Sequence, residues 1–377
     1  PVQFGYDMER GGVFFMSESR SPGTTSGRLP NRTRPPVEQD RVAAEVRRAI
    51  RTGRFLPGER LPPRLVLAAR HRVSSLTVQR AMNQLLEDGF IKTRQRQGTF
   101  VSGRPPHLYR IGLAFQPRRH DPSWSNLWDA LLAAAGLIAA EGPCYFTSYL
   151  GVDRHLDTDD CQRLQRDLER KVLAGVIFDQ FSVQAADLLP LSRTGVPAAA
   201  IMKTESTGKM SGITLDIESF FDQALAHLRR DGRRRIAIIA LGKPDVWQML
   251  PMIERCYARH GLEYRPEWIH GIPLPGAEWG THTVRLLFAA AASERPDALV
   301  IADDNLCRPV VAGLAQLPCR VPDDIRIVSI CNWPKLPEVN LPVDWLGFDL
   351  REMLERAVDL LRNPQESGTT LPARLRV

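Results

Sequence analysis

The hydrophobic residues between positions 37 and 103 recur at helical spacing. The first helical face carries Val42, Val46, Ala49 and Ile50. A proline-rich turn, LPGERLPP, then halts the chain before a short helical stretch, RLVLAARHR. This pattern predicts two helices joined by a stiff turn.

A third helix is predicted after Ser74, which is a good N-cap residue. Gly89 supplies its left-handed stop, and FIKTR, a turn at Gln97-Gly98 and TFV follow as two short strands. Three helices and a hairpin indicate a winged helix-turn-helix, although such an amphipathic helix can also simply pack within its own domain. The inward stripe is Val78, Ala81, Met82, Leu85 and Leu86, and the outward positions are Gln79, Arg80, Asn83 and Gln84.

From Ile111 the pattern changes to apolar strands that alternate with amphipathic helices. This alternation predicts a two-lobed α/β fold with doubly wound, mainly parallel sheets. The predicted strands are RIGLAF, CYFTSYL, GVIFDQ, PAAAIM, GITLD, RIAIIAL, ALVIAD and IRIVSICN. The helices between them include Trp124–Ala140, Asp159–Lys171, Ser219–Asp231, Leu250–His260 and Thr281–Ala292.

Composition divides the chain further. Residues 1–36 are rich in Gly, Ser, Pro, Arg and Thr and lack periodicity, so we expect a disordered arm, either inert or touching DNA. Residues 37–103 are expected to form the winged helix-turn-helix, residues 104–108 a linker, and residues 109–377 the α/β domain.

The net charge of +7 is unevenly placed. Residues 37–104 hold 14 Lys/Arg and 6 Asp/Glu, a net +8, whereas residues 1–36 carry +2 and residues 105–377 carry −3. A small basic module joined to a larger, slightly acidic one suggests that only the first meets a polyanion.

Several classes of protein are disfavoured by composition. The hydrophobic content of 43% and charged content of 25% are those of a soluble globular protein. No apolar run approaches the roughly 20 residues that span a membrane, and GGVFFM is too short for a signal-peptide core, so we expect a cytoplasmic protein. Six scattered cysteines without CxxC spacing and without clustered histidines predict neither zinc nor disulfides, and we expect no cofactor.

The segment from Ile50 to Gly103 resembles the DNA-binding domain of GntR-family transcription regulators. Its anchors are Gly53, Pro57-Gly58, Leu61-Pro62, Leu67-Ala68, Val73-Ser74, Thr77-Val78, Ala81, Leu85, Gly89 and Gly98-Thr99-Phe100-Val101.

Residues 109–377 are similar to the effector domains of LacI/GalR regulators, which share the fold of type 1 periplasmic sugar-binding proteins. The carrying segments are YRIGLAF, SGITLDIESFFDQALAHLRRDGRRRIAIIAL, RPDALVIADDNL, VPDDIRIVSICNWP and LPVDWLGFDLREMLERAVDLL. The combination resembles an arabinose-repressor-like architecture. The resemblance therefore implies that residues 109–377 bind an effector and dimerise.

In winged helix-turn-helix proteins the third helix enters the major groove. The resemblance implies three base-reading arginines, but Leu65, Ser75 and Gln79 occupy those positions, so the family's reading of DNA cannot be carried over. Gln79 can instead pair with adenine, Ser75 can reach either base type, and Leu76 can contact a thymine methyl.

Other residues of the same segment are expected to contact the DNA backbone. Thr77 matches a family threonine that the resemblance places on a phosphate, and the arginines are candidates for phosphate contacts, a merely solvated side chain being the alternative for each. The predicted DNA-binding residues are Arg64, Arg72, Ser74, Ser75, Leu76, Thr77, Gln79, Arg80, Arg94, Arg96 and Gly98.

Doubly wound sheets bind ligands at the carboxyl ends of their strands, here in a cleft between two lobes. Trp279 begins a helix at the position where the resemblance implies a sugar-stacking tryptophan, with core packing as the alternative. Trp124, Trp128 and Trp247 lie on or near cleft-lining segments. The candidates at strand ends are Gln116, Asp179, Lys203, Lys243, Asp303, Asp304 and Asn332.

One departure from the relatives affects the expected effector. Many relatives carry a sugar-clamping arginine where Met249 falls here, and Arg255 lies later on the helix. Either the effector is not a typical sugar, or the pocket has lost ligand binding.

Together these features predict a ligand-responsive regulator that binds double-stranded DNA. We expect a homodimeric repressor on a pseudo-palindromic operator, controlled by a sugar or sugar-like molecule and without a membrane partner. One alternative is a constitutive DNA binder whose large domain only dimerises. Another is an α/β enzyme with a DNA-binding head, although the chain has no GxGxxG after a strand, no GxxxxGK[ST] and no GxSxG, so we predict no enzyme activity.

Overall fold

A computed structural model of the 377-residue chain describes residues 38–118, 121–122, 124–202, 210–242, 249–274, 276–291, 293–363 and 369–376. The predicted arm of residues 1–36 lies outside these ranges, as do three predicted ligand-site residues, Lys203, Lys243 and Trp247.

The first elements of the described chain form the predicted winged helix-turn-helix, which we call the reading head (residues 38–101). Ser74 Oγ accepts a hydrogen bond from the Thr77 amide at 3.1 Å and caps the third helix. Gly89, with φ of +81°, lets the chain leave that helix in the left-handed conformation. The elements are α1 Glu38–Arg51, α2 Arg64–His71, α3 Ser75–Glu87 and the antiparallel strands β1 Ile91–Arg94 and β2 Gly98–Val101.

The buried faces of the helices differ from the apolar stripes in two details. Leu86, placed in the inward stripe, is 37% exposed. Arg47 lies on the buried face of α1 because its guanidinium pairs with Asp88, with Nη2 2.6 Å from Oδ2. Hydrophobic periodicity detects apolar burial and cannot show a buried ion pair between distant segments.

A single helical turn, α4 Pro106–Tyr109, leads into the α/β region. All eight predicted strands are present, and β9, β12, β13 and β14 are additional to them. The strands are β3 Arg110–Phe115, β4 Tyr145–Leu150, β5 Gly175–Phe178, β6 Ala198–Ile201, β7 Gly212–Leu215, β8 Ile236–Leu241, β9 Ile269–Ile272, β10 Ala298–Ile301, β11 Arg326–Trp333, β12 Asp344–Asp349, β13 Thr369–Leu371 and β14 Arg374–Arg376.

The helices of this region include the five that were predicted, with ends shifted by up to three residues. They are α5 Asn126–Glu141, α6 Asp159–Glu169, α7 Leu191–Thr194, α8 Ile217–Arg230, α9 Leu250–Arg259, α10 Trp279–Ala289, α11 Asp304–Leu314 and α12 Leu350–Arg362, with 3-10 turns at Ser182–Leu188 and Pro266–Trp268.

The strands form two sheets of six, and each sheet defines a lobe. The N-lobe sheet has the order β4-β3-β5-β6-β7-β13, and the C-lobe sheet has the order β9-β8-β10-β11-β12-β14. Their ladders are parallel except for β12 with β14. The predicted doubly wound, mainly parallel architecture is therefore confirmed.

The strand order determines where a ligand can bind. In the N-lobe, β4 and β5 flank β3 on opposite sides, and in the C-lobe β9 and β10 flank β8 in the same way. Connections leave such a point in opposite directions, so a crevice opens at the carboxyl ends of these strands. The loops after β3, β5, β8 and β10 are thus among those that can line a binding site.

Three further observations concern membrane spans, disulfides and metal sites. Among the described helices, none combines the length and apolar character needed to cross a bilayer. All six cysteines are free thiols, and all but the half-buried Cys319 are buried. Within the same ranges, no group of three or more His, Cys, Asp or Glu side chains is arranged to hold a metal ion.

Candidate DNA-reading face and ligand cleft

The exposed face of α3 is connected to α2 by side-chain hydrogen bonds. Arg64 Nη1 donates to Gln79 Oε1 at 2.7 Å, and Gln79 Nε2 donates to Asn83 Oδ1 at 2.9 Å. Gln79 is half-buried, whereas Arg64 and Asn83 are exposed. Three side chains, two of them predicted to contact DNA, are therefore held together before DNA arrives.

The turn between α2 and α3 holds the other predicted contacts. Arg72 has φ of +56°, and its amide bonds back to the last carbonyls of α2, so this residue ends the helix. The Ser74 and Thr77 hydroxyls lie 2.8 Å apart. Ser75 is half-buried, and Leu76 is 60% exposed. The DNA contacts predicted for these residues remain predictions.

The wing carries cations that its own geometry orients. The Arg94 guanidinium lies over the Phe100 ring, 4.7 Å from its centroid. Arg96 adopts φ of +58° in the turn of the hairpin. Gly98 has φ of +108°, and a Cβ there would lie 3.0 Å from Arg60 Nε. Arg60, on the segment before α2, is a wing cation that the sequence prediction missed.

The cleft lies at the switch points of the two sheets and has a volume of about 490 Å³. Pockets of roughly 300–1,000 Å³ are typical of small-molecule sites. Its lining combines amide, hydroxyl, carboxylate and aromatic side chains, with one guanidinium. The lining residues are Gln116, Pro117, Arg118, Asp121, Ser125, Leu127, Trp128, Asp153, Gln180, Phe181, Leu241, Leu274 and Asp303.

Three of the candidates from the sequence line this cleft, namely Gln116, Trp128 and Asp303. Trp128 packs against Phe115 with ring centroids 5.5 Å apart. Trp124 is half-buried behind the lining, and its Nε1 donates to Asp129 at 3.2 Å.

Asp179, a predicted ligand contact, is not among the residues that line the cleft. Its side chain is fully buried, and its Oδ1 accepts hydrogen bonds from the Phe181 and Ser182 amides at 3.0 and 2.5 Å. Burial raises the pKa of this carboxyl. Asp179 thus caps the turn after β5, and the next two residues, Gln180 and Phe181, line the cleft.

Asp303 and Asp304 face different spaces. Asp303 lines the cleft, whereas Asp304 and Asn305 line a second cavity of about 650 Å³ that also includes Lys335 and Glu338. Both carboxylates nevertheless approach the Asn305 amide nitrogen, which lies 2.7 Å from Asp303 Oδ1 and 3.4 Å from Asp304 Oδ1.

Burial and the neighbouring Asp303 raise the pKa of Asp304 to about 7. Asn332 Nδ2 donates to Asp304 Oδ2 at 2.9 Å. Asn332, one of the predicted ligand contacts, is itself buried and serves Asp304 in this structure.

Asn305 joins the two lobes at the edge of the cleft. Its Nδ2 donates to Ser125 Oγ at 2.8 Å, and its Oδ1 accepts from the Asn126 amide at 2.9 Å. The start of α11 is thereby bound to the start of α5. Sequence reasoning did not single out Asn305, because its partners lie almost 180 residues earlier.

Trp279 begins α10, as the sequence predicted for a helix start, but its indole is 60% exposed and lines neither cavity. Its ring lies 5.2 Å from that of His282. The Trp279 side chain is thus neither packed in the core nor part of the cleft lining. Sugar stacking by Trp279 remains a prediction.

The reading head contacts the N-lobe at the end of α3. Asp88 is buried and accepts from Arg47 within the head, and also from Arg170 at the end of α6, with Nη1 3.3 Å from Oδ1. The Phe90 and His107 rings stack with centroids 5.6 Å apart. Burial, followed by the Arg51 charge, lowers the pKa of His107 to about 4. His107 belongs to the segment predicted as a linker, and it is packed.

Comparison with known proteins agrees with this geometry. Residues 38–101 match the family model described as bacterial regulatory proteins, gntR family, and residues 225–377 match that of a periplasmic binding protein-like domain. The chain is 23% identical over 331 residues to the arabinose metabolism transcriptional repressor of Geobacillus stearothermophilus, which covers 82% of this chain and 88% of that protein. It is 24% identical to catabolite control protein A of Priestia megaterium over 49% of this chain and 58% of that protein.

Solved structures share the two-lobed fold. A LacI-family regulatory protein from Chloroflexus aggregans aligns with a TM-score of 0.55 and 16% identity, over 71% of this chain and 96% of that one. A LacI-family regulator from Lactobacillus casei with bound glucose aligns with a TM-score of 0.51 and 19% identity, over 71% and 98%. The protein therefore combines a GntR-type helix-turn-helix domain with a periplasmic-binding-protein-like domain of the LacI-regulator fold.

Proposed function

We infer that this protein is a ligand-responsive, DNA-binding regulator of transcription, and we propose that it acts in the cytoplasm as a homodimeric repressor. The observation that carries the proposal is the union, in one chain, of a basic winged helix-turn-helix and a two-lobed cleft of ligand size. The relatives named as repressors support repression, as opposed to activation, of transcription.

The proposed ligand is a sugar or a molecule that resembles one. Gln116, Ser125, Gln180 and Asp303 offer hydrogen-bond donors and acceptors suited to hydroxyl groups, and Phe181 offers an aromatic face. The volume of about 490 Å³ suits a molecule of that size. The glucose in the Lactobacillus casei structure supports the same chemical class.

Regulation is proposed to act through the lobes. A ligand in the cleft would contact residues of both lobes. It would lie next to Ser125, whose hydroxyl accepts the hydrogen bond from Asn305 that joins the lobes. A ligand shifts the equilibrium between two arrangements of the lobes only if it binds one arrangement better than the other. We propose that the two arrangements differ at the hydrogen bond between Asn305 and Ser125. The head moves with the N-lobe through the ion pair of Asp88 with Arg170.

The homodimer is supported by apolar exposure on α10. Trp279 and Leu286 lie two helical turns apart and are 60% and 73% exposed. We propose that this exposed pair lies in the contact between the two protomers. Substituting Leu286→Glu is expected to shift the sedimentation of the full chain from dimer to monomer, and an unchanged dimer would place the interface elsewhere.

A constitutive DNA binder is the second candidate, and Met249 favours it. The resemblance implies a sugar-clamping arginine near that position, and a methionine cannot donate hydrogen bonds. On this alternative, the large domain supplies only dimerisation.

One experiment separates the two candidates. Thermal unfolding of the full chain is measured against a panel of neutral sugars and polyols, and any stabilising compound is then added to binding assays on promoter fragments. A ligand that both stabilises the chain and changes DNA affinity supports regulation, whereas no effect across the panel favours constitutive binding. If no fragment binds better than random DNA at physiological salt, the protein is not a sequence-specific regulator.

A further inference from the structure

The hydrogen-bonded chain of Arg64, Gln79 and Asn83 lies on the face that α3 presents to DNA. Arg64 is the first residue of α2, and its guanidinium reaches across to Gln79 on α3 over 2.7 Å. Gln79 is in turn fixed by Asn83, one turn further along α3, at 2.9 Å. The guanidinium is therefore held against the reading helix although it belongs to another element.

This arrangement disfavours adenine as the partner of Gln79. Bidentate pairing with adenine needs the amide oxygen to accept from the adenine N6 amino group and an amide hydrogen to donate to N7. Here one lone pair of the Gln79 oxygen already accepts from the Arg64 guanidinium, so the adenine amino group would have to approach the second lone pair beside that cation. An adenine amino group placed beside Arg64 would bring a donor against a positively charged donor, which is repulsive.

The same arrangement suits guanine. Guanine presents two acceptors, O6 and N7, in the major groove, and arginine pairs with them bidentately. Arg64 has five N–H donors, and the contact with Gln79 uses one of them. A planar guanidinium whose orientation is already fixed loses less side-chain entropy when it pairs with a base.

The neighbouring residues explain why Arg64 takes this position. Leu65 occupies the position where the resemblance implies a base-reading arginine, and it is 74% exposed. Leu76, at the start of α3, is 60% exposed. The charge missing at position 65 is thus supplied by the adjacent residue, Arg64.

We propose that Arg64 reads a guanine in each operator half-site and that Gln79 positions Arg64 instead of pairing with adenine. This inference rests on the proposed function as a sequence-specific DNA binder. It replaces the expectations that Arg64 contacts a phosphate and that Gln79 contacts adenine.

The test is selection of binding sites from a random double-stranded DNA library by the full chain, followed by sequencing. The wild type is expected to enrich a guanine at one position of each half-site. Arg64→Ala should lower the preference for this guanine roughly 5- to 150-fold. Gln79→Ala should weaken the preference at the same position by less, and the double variant should match Arg64→Ala alone.

Two further variants make the result specific. Arg64→Lys keeps the charge but loses the planar fork, so the guanine preference should fall although binding to random DNA is retained. Arg80→Ala is the matched control, an exposed arginine on α3. It should weaken binding to all sequences alike and leave the guanine preference unchanged.

Three results would overturn the proposal. In the first, Gln79→Ala removes an adenine preference independently of Arg64. In the second, Arg64→Ala weakens binding to every sequence equally, which would make Arg64 a phosphate contact. In the third, the wild type enriches no sequence at all. That result would contradict the proposed function as a sequence-specific DNA binder as well as the role of Arg64.

Discussion

The reading head and the cleft assemble their candidate side chains in different ways. The head takes its residues from one continuous segment of about 60 residues, whereas the cleft takes them from loops that lie as far apart as Gln116 and Asp303. A continuous segment fixes its own geometry through caps and turns. The side chains of the cleft depend on how the loops after β3, β4, β5, β9 and β10 meet, so one residue of displacement along a loop changes what faces the ligand.

Removing the Asp88 carboxylate, which pairs with Arg47 in the reading head and with Arg170 in the N-lobe, should have the largest effect on stability. Asp88→Ala leaves the buried Arg47 without its carboxylate, and removing one partner of a buried ion pair costs about 3–5 kcal/mol. We expect the free energy of unfolding in urea to fall by about that amount. The control is Glu87→Ala at the adjacent exposed position, which should change it by less than about 0.5 kcal/mol.

The contrast between Asp179 and its neighbours gives a second test. Phe181→Ala removes an aromatic side chain from the cleft lining and should weaken ligand binding by about 2 kcal/mol, with little change in the melting temperature. Asp179→Ala should instead lower the melting temperature and change ligand affinity little, because the Phe181 and Ser182 amides lose their hydrogen-bond acceptor. Calorimetric titration with a stabilising sugar and thermal melts separate the two results, and equal losses of affinity would contradict the assignment.

The wing supplies a third, smaller effect that is confined to the head. Arg96→Ala should reduce affinity for all DNA sequences alike and lower the slope of log affinity against log salt by about one. Fluorescence anisotropy between 50 and 200 mM salt measures this slope. Arg54→Ala, an exposed arginine in the turn after α1, is the control, and an equal change there would mean that general charge, not wing contact, is responsible.

A fourth effect is expected from pH at the edge of the cleft. Because the pKa of Asp304 is raised from 3.8 to about 7, the folded state binds its proton more tightly than the unfolded state does. The stability that this proton contributes is complete below about pH 4 and is lost as the pH rises through about 7. Asp304→Asn should flatten the fall in melting temperature between pH 5 and 8, and Asp323→Asn, at an exposed position, should leave it unchanged.

The sequence predicted the head almost completely because its signals are local. Gly89 and Ser74 mark the ends of α3, and alternating apolar runs predicted the eight strands that were named. For the cleft, the pattern pointed to Gln116, Trp128 and Asp303, which line it, but it did not single out Gln180 or Phe181. Asp179 is the first polar residue after β5, but its carboxylate accepts hydrogen bonds from backbone amides. Phe181, two residues later, lines the cleft instead.

Other residues were missed because their partners are remote in sequence. Asn305 bonds to residues near position 125, and Arg60 lies beside Gly98 of the wing. The position of Arg64 against Gln79 has the same origin, since the two residues belong to different helices. No periodicity along one segment contains this information.

The packing of His107 against Phe90 has a consequence for the spacing of operator half-sites. A flexible tether would let two heads in a dimer reach half-sites at many separations, at an entropic cost that grows slowly with tether length. Here Pro105 and Pro106 are buried and the next residue is stacked, so little free chain remains between head and N-lobe. Such a dimer would accept only a narrow range of half-site separations, and inserting five base pairs between the half-sites, half a turn of DNA, would place the second one on the opposite side of the duplex.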